Sequence, residues 1–419
     1  MDSDSPVPKN EIEFLRDLAK KQLEYANLPI MAERKRLWTL HNRLEGERPM
    51  VVMEEDSFDR DFLPKPICTH PVSRPMEWLL NKVTCAHELF DDDKVVPDFY
   101  PIPYSINMDF LGVKEKKTKA SEGEGFHIEP LFETLEEGLP MLGQSGLYYH
   151  KEETEKYRKA VTDILGDIMP VVPKNYFYWW CTIPTQYVIN IMGMENMYCS
   201  MMTEAEDFHK LMDLVTKELI RLLRWQEDEG LVILNSGNDY IGSGSFCFSD
   251  ELPSRGSGDG GRVLSKDTWG HLDSQESVGI SPQMFDEFIY PCYEALAKEY
   301  AFVYYGCCEP VHAYWDRSLC RLPNLRKISI SAWCDEEFMA ERLKGRKVIY
   351  SRKPSPNFIG IKAEFDEEAF RAYIQKTVNT IKGHCKGEFI FRDIYALHGN
   401  IGKVRKAVEI TRSIAETAY

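Results

Sequence analysis

From Lys151 to the end of the chain, short apolar runs alternate with helical segments, and that alternation limits the fold more than any other feature. LVILN (Leu231 to Asn235), AFVYY (Ala301 to Tyr305), KISIS (Lys327 to Ser331), KVIYS (Lys347 to Ser351) and EFIF (Glu388 to Phe391) read as buried strands. Each is followed by a helical pattern, at spacings too short for separate domains. Buried strands in alternation with helices imply an α/β fold with a parallel sheet and helices outside it. No GxGxxG follows the first strand, so a doubly wound dinucleotide-binding sheet has no direct support. The number of repeats predicts a (β/α)8 TIM barrel with N-terminal helices and one inserted cap, its chemistry placed where strands end.

The first residues read as helix. Asn10 can cap a run through Ile12, Leu15, Leu18, Leu23 and Tyr25, and a second helix runs through Met31, Leu37, Leu40 and Leu44 to Gly46. Residues 1–46 are therefore expected to be a helical extension and 47–419 the barrel, whose first strand is RPMVVME (Arg48 to Glu54). The irregular stretch of about 56–150 shows one clear helix, near Met76 to Leu89. It is expected to hold further short strands and to cap one end of the fold. Thr203 with Glu206 has the form of a capping box for a helix through Phe208, Leu211, Leu214, Leu219 and Leu222, which Gly230 ends.

Composition narrows the function. The chain of 419 residues carries 51 Lys plus Arg against 67 Asp plus Glu, a net charge of −16. Phosphate backbones and anionic membranes need a cationic face, so nucleic-acid and membrane-surface binding are disfavoured, and a polycarboxylate substrate fits poorly. The most apolar stretch, Ile183 to Met202, is interrupted by Pro184, Gln186, Asn190 and Glu195, so no membrane span is expected. The opening MDSDSPVPKNE lacks a signal peptide. The eleven cysteines are scattered, and the adjacent Cys307 and Cys308 cannot easily bridge, so they read as reduced thiols of a cytoplasmic protein.

Strand ends single out the polar candidates. GCCEPVH after Tyr305 brings Cys307, Cys308 and Glu309 together, thiols beside a carboxylate, which is a donor set zinc accepts. Unpaired cysteines are most often buried packing residues. Here Glu309 stands where packing would not put an acid, which favours a metal site with at least one of the cysteines. His312 lies in the next helix and reads as a surface or capping residue. FRDIYALHGN offers Arg392 and Asp393, read as a structural ion pair, and His398, which either points into the barrel mouth or caps a helix with Asn400. Gln275 and Glu276 precede the helix start Ser281-Pro282; Glu276 is a candidate ligand or base, and loop solvation is the plainer alternative. Asn235, Asn238 and Asp239 stand at another strand end, in a glycine-rich loop that is a weak signal by itself. The aromatic run YFYWW reads as core or substrate wall. No P-loop, GxSxG, HExxH or CxxC occurs.

ISPQMFDEFIYPCYEAL, YYGCCEP, PNLRKISISAWCD, PTQYVINIMGMENMY and the final HG turn together resemble the uroporphyrinogen decarboxylase superfamily over roughly the last 240 residues. That resemblance implies a single (β/α)8 barrel and one of two activities. The decarboxylases use an RQAGRY-type motif near the first strand, where this chain has RPMVVMEED. The other branch comprises zinc-dependent, corrinoid-linked methyltransferases and demethylases, with an H-x-C pair at a strand end and a Cys at the last strand. Here Tyr305-Gly306-Cys307 and His398 stand in those places. The resemblance thus implies zinc held by Cys307 or Cys308 with His398, and Glu276 or Glu309 as a third ligand.

The expected function is transfer of a methyl group from a small O-, N- or S-methyl substrate to a corrinoid protein, with zinc as Lewis acid. Glu276, Glu309 and Asp239 are the catalytic candidates, and Tyr305, Asn235, Gln275 and Trp180 the substrate contacts. Tyr304, Tyr305, Trp179 and Trp180 would form a wall for a methoxyaryl group. The alternatives are a cofactor-independent lyase using Asp239, Tyr305 and His398, and a non-catalytic corrinoid- or tetrapyrrole-binding barrel. Relatives are often homodimers.

Overall fold

The computed structural model describes residues 5–119 and 126–419. In chain order its strands are β1 (Met50–Met53), β2 (Tyr100–Pro103), β3 (Ile106–Asp109), β4 (Lys116–Lys119), β5 (Phe126–Glu129), β6 (Gly146–Tyr149) and β7 (Val171–Lys174). They continue with β8 (Tyr240–Ile241), β9 (Ser245–Phe246), β10 (Trp269–Leu272), β11 (Phe302–Tyr305), β12 (Leu325–Ile330), β13 (Ile349–Arg352) and β14 (Gly387–Phe391). Six of them form one parallel sheet in the order β1-β14-β13-β12-β11-β10, and β2 pairs in parallel with β7.

Side-chain alternation along β14 sorts the two faces of the sheet. Phe389 and Phe391, with Val51 and Met53 of β1, pack beneath the helices Glu367–Ile381 and Gly402–Ala418. Glu388, Ile390 and Arg392 point to the opposite, inner face. The hairpin β8–β9 and the helix Pro29–Asn42 cover that face, with Trp38, Phe246 and Phe248 packed on Val52 and Ile390. The hairpin comes so close that glycine is required at its turn. A Cβ on Gly242 (φ +58°) would lie 2.1 Å from the Tyr304 ring, and one on Gly244 (φ +92°) 2.4 Å from Ile390.

At the centre of the inner face is a buried ionic network. Lys327 Nζ lies 3.0 Å from Glu388 Oε2 with both side chains fully buried, and His41 Nε2 lies 3.0 Å from the same oxygen. Ser245 Oγ donates to it at 2.9 Å and Ser351 Oγ donates to Oε1 at 2.6 Å. Burial alone would raise the Glu388 pKa; Lys327, His41 and Lys353 instead hold it below the ordinary carboxylate range.

The expected closed barrel is not formed by backbone pairing among the described residues, because side chains take up both edges of the six-stranded sheet. On β1, Val51 N donates to Asp93 Oδ2 and Met53 N to Asp92 Oδ2, at 2.8 and 2.9 Å. On β10, the Asn235 amide bonds both backbone groups of Trp269, at 2.9 and 3.0 Å. Leu231 to Asn235, expected as a strand, therefore runs beside β10 without a ladder of its own.

Other expectations shift locally. Thr203 ends the helix Met194–Thr203, and the next helix, Ala205–Asp228, is preceded by Glu204 with no side-chain cap. The Glu204 carboxylate instead accepts from Leu135 N and Ser200 Oγ. The first helix begins at Lys9 after Pro8, so Asn10 is inside it. The helix expected from Pro282 to Tyr300 is broken by a π-turn at Phe285–Ile289. Segment 56–150 contains the helix Ser73–Phe90, the strand β2 and the antiparallel pairs β3–β6 and β4–β5. No helix among the described residues is long and apolar enough to cross a membrane.

Replacing Glu388 by Ala leaves Lys327 buried without its partner. It is expected to lower unfolding free energy by about 3–5 kcal/mol in urea titrations.

Candidate functional site

The loop after β11 is shaped by its own residues. Gly306 takes φ +95°, which turns the chain beneath Ser329 and Val311. Ser329 Oγ donates to the Cys307 carbonyl at 2.7 Å. The Glu309 carboxylate accepts from Cys307 N at 2.8 Å and from Ser274 N at 3.0 Å, so it clamps the loops after β11 and β10 together.

Cys307 is thereby held against the end of β14. Its Sγ lies 3.6 Å from Cys308 Sγ and 3.5 Å from Arg392 Nη1. Cys308 Sγ is also 3.6 Å from Asp393 Oδ2. Arg392 Nε forms an ion pair with Glu54 Oε2 at 3.2 Å, just past β1, and Tyr240 OH of the hairpin donates to Glu54 Oε1. A chain Tyr240–Glu54–Arg392–Cys307–Cys308 thus crosses the ends of four strands.

Electrostatics divides the two thiols. A hydrogen bond from Cys308, with the Arg392 guanidinium behind it, holds the Cys307 thiol below its ordinary value against the effect of burial. Cys308 is pushed up by the same pairing and by burial. Of the two, Cys307 is the thiol that gives up its proton more readily, and Cys308 the one that keeps it. Burial, with Asp273 and Cys307 nearby, pushes the Glu309 carboxyl up to about 8, so it carries a proton at neutral pH. Burial also brings Lys353, which donates to Tyr304 OH and to Ser351 Oγ at 2.8 Å, down to about 7.

Beside Tyr240 opens a cavity of about 200 Å³ between β1 and the β2–β7 pair. Tyr176, Trp179, Tyr240 and Phe99 supply aromatic faces, with Trp179 and Tyr240 centroids 5.1 Å apart. Its charges are matched: Lys174 bonds Asp239 and Lys94 bonds Glu55.

The sequence candidates fall into three groups. Cys307, Cys308 and Glu309 come together as described, whereas the Oε2 of Glu276 accepts from Thr185 at 2.7 Å, and burial with the charge of Asp273 raises its pKa. Asp239 and Asn238 line the cavity instead, and Trp180 stacks edge-on to His271 at 4.7 Å. The remainder have other surroundings. Tyr305 packs in the core between sheet and helices, with its OH 2.5 Å from Ser274 Oγ, whereas Tyr304 faces inward. Asn235 braces Trp269, and Gln275 sits half-buried in the turn after β10. His312 Nδ1 accepts from Asp335 N at the surface.

His398 takes φ +52° and lies 3.0 Å from the Gly360 carbonyl, outside the thiol cluster. The ligand set Cys307, Cys308 and His398 is therefore not assembled, and a guanidinium, which repels a cation, stands against Cys307. Among the described residues no group of three or more His, Cys, Asp or Glu side chains is arranged to hold a metal ion. The residues present do not fit zinc.

Sequence reasoning passed over Glu54, Asp273 and Lys353, each the first residue after its strand, and Tyr240. His271 was missed as well; its Nε2 lies 2.9 Å from Asp273 Oδ2 while its Nδ1 is buried without a partner. Arg392, read as structural, is the cation of the cluster. The rule that barrel chemistry follows strand ends, applied to every strand, singles out the first three.

No family model and no curated protein matches the chain. A solved structure, a methyltransferase from Methanosarcina mazei, is similar at 10% sequence identity and a TM-score of 0.45. The match covers 79% of this chain and 84% of that one.

Across a pH series, alkylation of Cys307 by iodoacetamide is expected to set in at lower pH than that of its neighbour Cys308. Arg392→Leu should move the Cys307 alkylation profile to higher pH, as read by peptide mass spectrometry.

Proposed function

We propose that the chain transfers a methyl group from a small O-, N- or S-methyl compound, and that Cys307 is the group that first receives it. The observation that carries this reading is the sulfur of Cys307, held between Cys308 and Arg392, which favour its ionised form, with the carboxyl of Glu309 beside it. A nucleophile next to a proton donor is the pair that displacement at a methyl carbon needs.

In the first step the thiolate attacks the methyl carbon. An S–C bond forms, the bond from that carbon to O, N or S breaks, and the departing atom takes the proton of Glu309. Arg392 and Glu54 keep the sulfur in place. In the second step an external nucleophile takes the methyl group and the S–C bond breaks, with the electron pair returning to Cys307. A thiol of lowered pKa is a better leaving group, so the contacts that activate Cys307 for the first step also assist the second. The resemblance to corrinoid-linked methyltransferases supports Co(I) of a corrinoid protein as that second acceptor. Neither step uses a zinc ion held by this chain.

The reading is tested by incubating the protein with methyl donors in the absence of an acceptor. Cys307 is expected to gain the mass of one methylene group, and Cys307→Ser to gain none. Turnover with no modified Cys307 under single-turnover conditions overturns the covalent route.

The pH dependence follows from the two groups. The rate should fall on the acid side as Cys307 protonates, and on the alkaline side near pH 8 as Glu309 ionises. Glu309→Gln should remove the alkaline limb and slow the first step by about 100-fold or more. Because the Glu309 pKa is raised from 4.5 to about 8 on folding, its contribution to stability is complete below pH 4.5 and is lost as pH rises through 8. Thermal melts of Glu309→Gln should lack that decline.

A further inference from the structure

At the opposite end of the sheet from the thiol cluster, the loops that lead into β12, β13 and β14 border a groove of about 720 Å³. Arg43, Arg326, Arg346, Lys347, Lys382 and Lys386 line it, with His384, and Glu251 is the one acidic side chain among its lining residues. Arg326 is taken up by Glu251, at 2.5 Å, and Arg43 by Asp250. Among the described residues the other four cations form no ion pair: Arg346 donates to the Cys320 carbonyl at 2.9 Å and lies over the Trp315 ring at 5.3 Å, Lys386 donates to the Gly46 carbonyl at 2.8 Å, and Lys347 and Lys382 are exposed.

Basic residues at helix C-termini commonly serve the helix dipole. That accounts for Lys382, directly after the helix Glu367–Ile381. It does not account for Arg346, Lys347 and Lys386, which lie two or more residues past their helices, in loops turned by Gly345 (φ +73°) and Gly383 (φ +76°). In a chain of net charge −16, four unneutralised cations on one groove repel one another at a cost that a bound anion removes. The groove has the volume of a small-ligand site. Tyr419, partly exposed at its border, offers an aromatic face.

The geometry points to this groove as a binding site for a phosphorylated organic anion of nucleotide size, with Lys347, Lys382, Lys386 and Arg346 on the phosphates and Tyr419 beside the organic part. It is independent of the methyl-transfer reading, since no residue is shared with the thiol cluster or the cavity at Tyr240.

Isothermal titration of the full chain with ADP, pyrophosphate and inorganic phosphate tests this, each repeated at low and raised salt. ADP is expected to bind, pyrophosphate more weakly and inorganic phosphate weakest, with affinity falling as salt rises. The double variant Lys347→Glu with Lys382→Glu should weaken ADP by about tenfold or more. Lys347→Arg with Lys382→Arg should retain it, and an unchanged melting temperature without ligand shows that both variants fold. Equal ADP affinity in the charge-reversed variant, or no binding by any of the three anions, overturns the assignment. Binding of inorganic phosphate as tight as that of ADP overturns the organic part and Tyr419's place in it.

Discussion

A single carboxylate, Glu388, organises the inner face of the sheet. A buried ion is tolerated only when its lone pairs are occupied and its charge is matched. Glu388 meets that demand with groups from four separate parts of the chain: His41 from the N-terminal helices, Ser245 from the hairpin, Lys327 from β12 and Ser351 from β13. Those contacts set where the hairpin lies. The hairpin in turn brings Tyr240 to Glu54, Glu54 meets Arg392, and Arg392 reaches Cys307. The placement of Cys307 thus depends on a charge buried deeper in the same sheet, although the two residues do not touch.

The same economy of side chains explains why the sheet stops at six strands. An exposed strand edge presents free N–H and C=O groups that invite wrong partners. Here Asp92 and Asp93 fill one edge and Asn235 the other, so neither needs a neighbouring strand. On the β1 side this leaves room between β1 and the β2–β7 pair, and the aromatic cavity occupies that room.

Much of this architecture was legible in the sequence. Five of the six strands of the main sheet were marked by runs such as AFVYY and EFIF, because parallel strands are buried on both sides and leave a continuous apolar signal. Leu231 to Asn235 carried the same signal without becoming a ladder, since burial alone does not distinguish a strand from an extended segment held by side chains. The pairing of Cys307, Cys308 and Glu309 was visible because they are neighbours in the chain. Glu54, Tyr240 and Arg392 were not assembled in advance: their proximity depends on which strands adjoin, and β1 meets β14 only through long-range pairing. His398 shows the opposite failure. A His-Gly turn after the last strand suggested a ligand, but backbone geometry turned the ring toward the Gly360 carbonyl.

The pairing of β1 with β14 has a consequence for how the chain is made. Val51 and its partner Phe389 are separated by most of the polypeptide. At a synthesis rate of about 5–20 residues per second, β1 leaves the ribosome roughly tens of seconds before its partner exists. Throughout that interval Asp92 and Asp93 can already occupy one edge of β1, while the edge meant for β14 stays open. The nascent chain therefore passes through a long-lived state with one guarded and one sticky edge, and its yield in the cell should be governed by how well that second edge is shielded until the last strand arrives.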